Sequence, residues 1–154
     1  MIWFRVDNRL IHGQVIEAWL PYLRIKRLIV VNDAVADDVY QQQIMQLAIP
    51  GRIKVSFVNL GSVKALFDQM SATGEPTLFV MKDCHDAKEV FAHGVSMKTL
   101  NIANLHYAPG KRQICPHVSA SDDDMACLHF FRERHVTLDF RCVPGENPRV
   151  EDWL

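Results

Sequence analysis

A chain of 154 residues with 49% hydrophobic and 23% charged side chains has the proportions of one compact domain, which excludes a disordered or low-complexity polypeptide. Its formal net charge of −1 argues against nonspecific binding to nucleic acid or to an anionic membrane surface. No apolar run reaches the roughly 18 residues of a membrane span, and Met1-Ile2-Trp3-Phe4-Arg5 meets charge too early for a signal peptide, so a cytoplasmic protein is expected.

Taken in chain order, short apolar runs alternate with helical patterns. Ile2–Val6, Leu28–Val31, Val55–Val58, Leu78–Met81 and Leu100–Ala103 read as strands buried on both faces, which belong to helix-covered parallel sheets. Between the first two, Val15, Ile16, Trp19, Leu20 and Leu23 keep the helical period, and Pro21 predicts an end near Leu20. Val35 through Val39 to Met45 predicts a further helix that Asp33 can cap. Val63, Leu66, Phe67 and Met70 form an apolar stripe. Asp83 can cap a short helix carrying Ala87, Val90 and Phe91. Ser121 can cap a later one, with Asp122, Asp123 and Asp124 in its first turn and Arg132, Arg134 and His135 at its end. Strict alternation over Val136–Cys142 predicts a half-exposed, antiparallel edge strand along which two copies could pair. After Pro144 the chain reads as an irregular extension. The expectation is a single domain over residues 1–154. Its fold class is α/β, an open, doubly wound, mostly parallel sheet with helices on both faces and an antiparallel edge strand.

Ligands of such sheets sit beyond the carboxyl ends of the strands, which directs attention to Asp7-Asn8-Arg9-Leu10-Ile11-His12-Gly13. Imidazole titrates near neutrality and offers an unprotonated nitrogen nucleophile. A histidine at a strand-to-helix loop, with Arg5 and Arg9 before it, suits phosphoryl transfer. Guanidinium forks and helix N–H groups match the charge on phosphoryl oxygens. Gly13 allows close approach of a phosphate, and Asp7 can orient His12 through one ring nitrogen. On residue types alone, a capping or core histidine with two solvated arginines is the plainer reading.

The run Arg5-Val6-Asp7-Asn8-Arg9-Leu10-Ile11-His12-Gly13-Gln14-Val15 resembles the signature of the enzyme IIB component of the mannose–fructose–sorbose family of the bacterial phosphotransferase system. That pattern reads Arg-Ile-Asp-Asp-Arg-Leu-Ile-His-Gly-Gln-Val, and the chain departs from it at Val6 and Asn8. Likeness continues in Ile29-Val30-Val31-Asn32-Asp33, Gly94-Val95, Leu100-Asn101-Ile102, Gly110-Lys111-Arg112-Gln113 and Val118-Ser119. The resemblance implies that His12 is the phosphorylated nucleophile, with Arg5 and Arg9 flanking the phosphoryl group. It also implies a phosphohistidine donor on a IIA protein, delivery to a sugar with the membrane components IIC and IID, and membrane association through them. No metal or cofactor is implied. Ala103-Asn104-Leu105-His106 stands where the family often has Gly-Gly-Met. That departure and Asn8 keep open an alternative, a regulatory phospho-acceptor that binds partners without sugar transfer.

Lys82, after the fourth strand, can steady a phosphate, and His106 can face the same cleft; a solvated loop lysine and an idle histidine are the plain alternatives. Cys84, Cys115, Cys127 and Cys142 form no CxxC and read as ordinary thiols. Cys84-His85 and Cys115-Pro116-His117 lack the paired spacing of a structural zinc site. Neither a dinucleotide-binding nor a nucleoside-triphosphate-binding glycine motif occurs.

Overall fold

The structure, a computed structural model, describes residues 1–150. Its centre is a six-stranded sheet of β1 (Ile2–Asp7), β2 (Arg27–Val31), β3 (Lys54–Val58), β4 (Thr77–Met81), β5 (Thr99–Asn104) and β8 (Thr137–Asp139), in the order β3-β2-β4-β1-β5-β8. Every pairing in it is parallel. A separate antiparallel hairpin is formed by β6 (Arg112–Cys115) and β7 (Val118–Ala120).

The doubly wound α/β expectation is borne out, with two corrections around the edge. The edge strand β8 runs parallel to β5, pairing Thr99 with Thr137 and Asn101 with Asp139. The incoming helix α6 (Asp122–Glu133) returns the chain to the starting end of the sheet, and a strand entered that way must run parallel. Antiparallel pairing belongs instead to the β6–β7 hairpin.

Helices cover both faces. On one lie a π-helical segment (Gln14–Trp19), α1 (Leu20–Tyr22), α2 (Asp33–Ala36) and α3 (Val39–Ala48); on the other lie α4 (Val63–Thr73), α5 (Cys84–Ala92) and α6. The first face buries Val15, Leu20, Val35, Leu28, Val30 and Val80; the second buries Val63, Met70, Val90, Leu128, Ile29 and Phe79. Fully burying a side chain of this size contributes about 1.5–3 kcal/mol. On the second face Phe79 meets Phe4 at 5.3 Å and Phe67 at 6.4 Å between ring centroids.

Two helical details differ from the sequence reading. Pro21 does not stop the helix near Leu20, because the preceding turns are π-wound, with the Leu20 amide donating to the Val15 carbonyl. That wider winding accommodates a ring that an α-turn would reject. The helix expected across Val35, Val39 and Met45 is two helices. Asn32 caps the first through the Val35 amide and Asp38 the second through the Gln41 amide, while Asp33 accepts from the Leu60 amide. The caps at Asp83 and Ser121 are as expected, the latter as a capping box with Asp124.

Strand parity sets up the functional site. Phe4 and Val6 of β1 enter the second-face core, so Arg5 and Asp7 must point to the first face, beneath the π-helical segment. Leu100 and Ile102 of β5 likewise send Asn101 to that face. The connection leaving β1 covers one face and that leaving neighbouring β4 covers the other, which makes the end of β1 a topological switch point.

Candidate active site

His12 stands in the loop leaving that switch point. Its Nε2 lies 2.8 Å from Asp7 Oδ2, and its side chain is only 7% exposed. Asp7 is fully buried, and its carboxylate also accepts from Arg5 Nε at 3.2 Å, Arg5 Nη2 at 2.7 Å and the Arg9 amide at 3.1 Å. Burial by itself pushes the Asp7 carboxyl up. The His12 hydrogen bond and the Arg5 charge outweigh it and hold the group below its ordinary range. Asp7 is therefore an ionised acceptor, so the proton of this contact sits on Nε2 and the lone pair of a neutral ring sits on Nδ1. His12 Nδ1 is buried and has no hydrogen-bond partner among the described residues.

Arg5, expected from the resemblance to flank a phosphoryl group, does not line the hollow that His12 borders and sits against Asp7. It is wholly buried, and every nitrogen of its fork is engaged. Besides its Asp7 contacts, Nη1 donates to Asn101 Oδ1 at 2.7 Å and Nη2 to the Cys142 carbonyl at 3.3 Å. Its guanidinium lies 5.2 Å from the Trp19 ring, whose Nε1 donates to the same Cys142 carbonyl at 2.7 Å. Burial lowers the Arg5 pKa from its ordinary value, and Asp7 offsets part of that. The chain of contacts runs Asn101–Arg5–Asp7–His12: Arg5 fixes the carboxylate that fixes the imidazole. Asn101 is itself held, donating to the carbonyls of Asp139 and Arg141 at 2.9 Å each.

Arg9, by contrast, is exposed and shares an open hollow of about 420 Å³ with His12, Gly13, Gln14, Glu17, Ala18 and Val143. A Cβ built on Gly13 would meet no protein atom within 4 Å, so the space above it is open to a ligand. Leu10 holds the loop with a φ of +53°. For a non-glycine residue this left-handed conformation costs about 1–3 kcal/mol, and burial of its side chain among Val15, Leu28 and Val30 fixes it there.

Lys82 and His106 lie elsewhere. They line a second hollow of about 560 Å³ with Asn8, Asp83, His85 and Lys111. The Asn8 amide and His106 Nδ1 are hydrogen-bonded to each other. Asn8 and the Ala103–His106 segment, the departures that left the alternative open, are separate in sequence but meet in space through this contact. Asn101, Trp19 and the Cys142 carbonyl were not among the residues anticipated from sequence. A lone amide inside an otherwise apolar buried strand was the available signal for Asn101.

A carboxylate-oriented imidazole at the switch point of a parallel α/β sheet, with an exposed guanidinium in the hollow it lines, is an arrangement suited to nucleophilic group transfer. Comparison with known proteins narrows the class. The family model described as PTS system sorbose subfamily IIB component matches residues 1–153. The sorbose-specific EIIB component of Klebsiella pneumoniae is 31% identical, covering 92% of this chain and 87% of its own. The N-acetylgalactosamine-specific IIB component 2 of Escherichia coli K12 is 34% identical, over 96% and 92% respectively. Among solved structures, the E. coli N-acetylgalactosamine-specific IIB component 1 superposes with a TM-score of 0.88 at 28% identity, over 97% of this chain and 98% of its own. The IIB domain of the K. pneumoniae sorbose permease gives 0.87 at 30% identity, over 97% and 92%. The chain belongs to the sorbose subfamily of IIB components of the sugar phosphotransferase system. No helix among the described residues is long and apolar enough to cross a membrane.

Proposed function

We propose that the protein is a cytoplasmic phosphoryl carrier whose His12 Nδ1 accepts the group from a phosphohistidine of a IIA protein and delivers it to a sugar brought in by the membrane components IIC and IID. The observation that carries this reading is the division of labour on one ring: Nε2 is committed to Asp7 at 2.8 Å, while Nδ1 has no partner. In the acceptance step the Nδ1 lone pair forms a bond to phosphorus as the donor's phosphorus–nitrogen bond breaks. In delivery a sugar hydroxyl oxygen attacks phosphorus, the Nδ1–phosphorus bond breaks, and the hydroxyl proton leaves to a base. Positive charge that develops on the imidazole is met by the Asp7 carboxylate, itself backed by Arg5. Arg9, exposed over the hollow, supplies the flexible guanidinium for the phosphoryl oxygens. Because Nδ1 is buried, the ring turns toward the hollow as the donor docks.

The relatives are named for sorbose and for N-acetylgalactosamine, so a monosaccharide or amino sugar is the class of acceptor. Incubation with the cognate phosphorylated IIA chain tests the reading: acid-labile label should appear on the wild type and vanish in His12→Ala. Equal labelling of both proteins would refute it.

A further inference from the structure

A second set of chemistry-bearing side chains lies behind the wall of the His12 hollow. His117, from the turn joining β6 to β7, meets Cys142 and Glu146 from the segment after β8, and their ligand-type atoms all lie within 4.8 Å of one another. His117 Nε2 is 3.6 Å from Glu146 Oε1. Neither Cys-His pair visible in the sequence reveals this convergence, because its members are separated by the whole of α6.

The set is pre-oriented. Glu146 Oε2 accepts from the amides of Cys142 at 2.7 Å and Val143 at 3.3 Å, which leaves Oε1 toward His117. The buried Cys142 thiol donates to Gln14 Oε1 at 3.1 Å. His117 is 44% exposed in its side chain, so it offers both an entry path and freedom to swing inward.

We propose that His117, Cys142 and Glu146 form a binding site for a divalent transition metal of the zinc class, with water as fourth ligand. Sulfur, imidazole nitrogen and carboxylate oxygen together suit zinc-like ions and not magnesium or calcium, which take oxygen shells. Tetrahedral zinc bonds of about 2.0–2.3 Å put ligand atoms about 3.3–3.6 Å apart, so the present set closes by about an ångström, mostly at exposed His117. On binding, the sulfur–hydrogen bond of Cys142 breaks, the proton leaves to solvent, and the electron pair forms the metal–sulfur bond. Gln14 can then turn its amide N–H to the thiolate, supporting it from behind. Two anionic ligands and a neutral imidazole balance the dication.

Cobalt(II) is the probe. Titrated into chelator-treated protein, it should give a thiolate-to-cobalt charge-transfer absorption that saturates at one equivalent and is displaced by zinc. Cys142→Ser should abolish the band, and His117→Ala should weaken binding at least tenfold while leaving the circular dichroism unchanged, since that residue is exposed. No band at one equivalent, a band that persists in Cys142→Ser, or unchanged affinity in His117→Ala would each overturn the proposal. The His117 variant keeps the test decisive if the Cys142 variant fails to fold.

Discussion

Replacing Asp7 by Asn is the sharpest probe of the buried network. The substitution keeps the shape but removes the only carboxylate that contacts Arg5 among the described residues, and the side chains of Arg5 and Asp7 are 1% and 0% exposed. Solvent cannot take over the role of counter-charge. Breaking a buried pair from one side costs about 3–5 kcal/mol, because the remaining charge is stranded. That is a large share of the roughly 5–15 kcal/mol by which domains of this size are stable. Urea unfolding at pH 7, followed by far-ultraviolet circular dichroism, measures it. With a slope near 2 kcal/mol per molar, about 4 kcal/mol moves the midpoint down by about 2 M. The double change Arg5→Met with Asp7→Leu should recover much of the loss, since apolar replacement of a whole buried pair is often neutral or better. A midpoint shift under about 0.5 M for Asp7→Asn, or a double variant weaker than the single one, would refute the picture of Arg5 as a buried clamp.

Further outcomes follow from the same geometry. Arg9→Ala should slow phosphoryl acceptance by on the order of 10³-fold with an unchanged urea midpoint, because the side chain is exposed and only its backbone amide holds Asp7; steady labelling rates would count against its role. Since the folded Asp7 pKa is held below its ordinary value, its contribution to stability is complete above about pH 4 and is lost as pH falls through the folded value. Urea midpoints measured from pH 7 down to pH 2 should show that acid loss in the wild type and a shallower one in Asp7→Asn. Ser121→Ala removes one half of the α6 capping box and should cost about 1 kcal/mol, read as a thermal midpoint lowered by about 2–4 °C.

Much of the fold was legible because burial leaves a recognisable apolar run, and all five such runs are strands of the main sheet, although β3, at its edge, is only partly buried and not covered on both faces as expected. What stayed hidden has physical causes. Alternation over Val136–Cys142 reports one wet face, but the direction of a strand is fixed by the path of α6 and not by its side chains. The β6 and β7 strands are only 4 and 3 residues long, too short for period to show. The site was half legible. His12 and Asp7 are neighbours in sequence and in space, whereas residue type alone does not tell a phosphate-binding arginine from a clamping one. Parity was the overlooked signal for Arg5: two residues before Asp7 on the same strand, it had to share Asp7's buried face. Lys82 was assigned from its place after a strand, but that loop opens onto the neighbouring hollow.

The Arg5 clamp ties the first strand of the fold to positions far along the chain. Its partners Asn101 and Cys142 lie 96 and 137 residues further on. A ribosome-bound chain that has already released the His12 loop still lacks the groups that set its imidazole in working posture. The posture of His12 is thereby made contingent on synthesis through Cys142, and a chain cut before that residue would lack the carbonyl that Arg5 and Trp19 share.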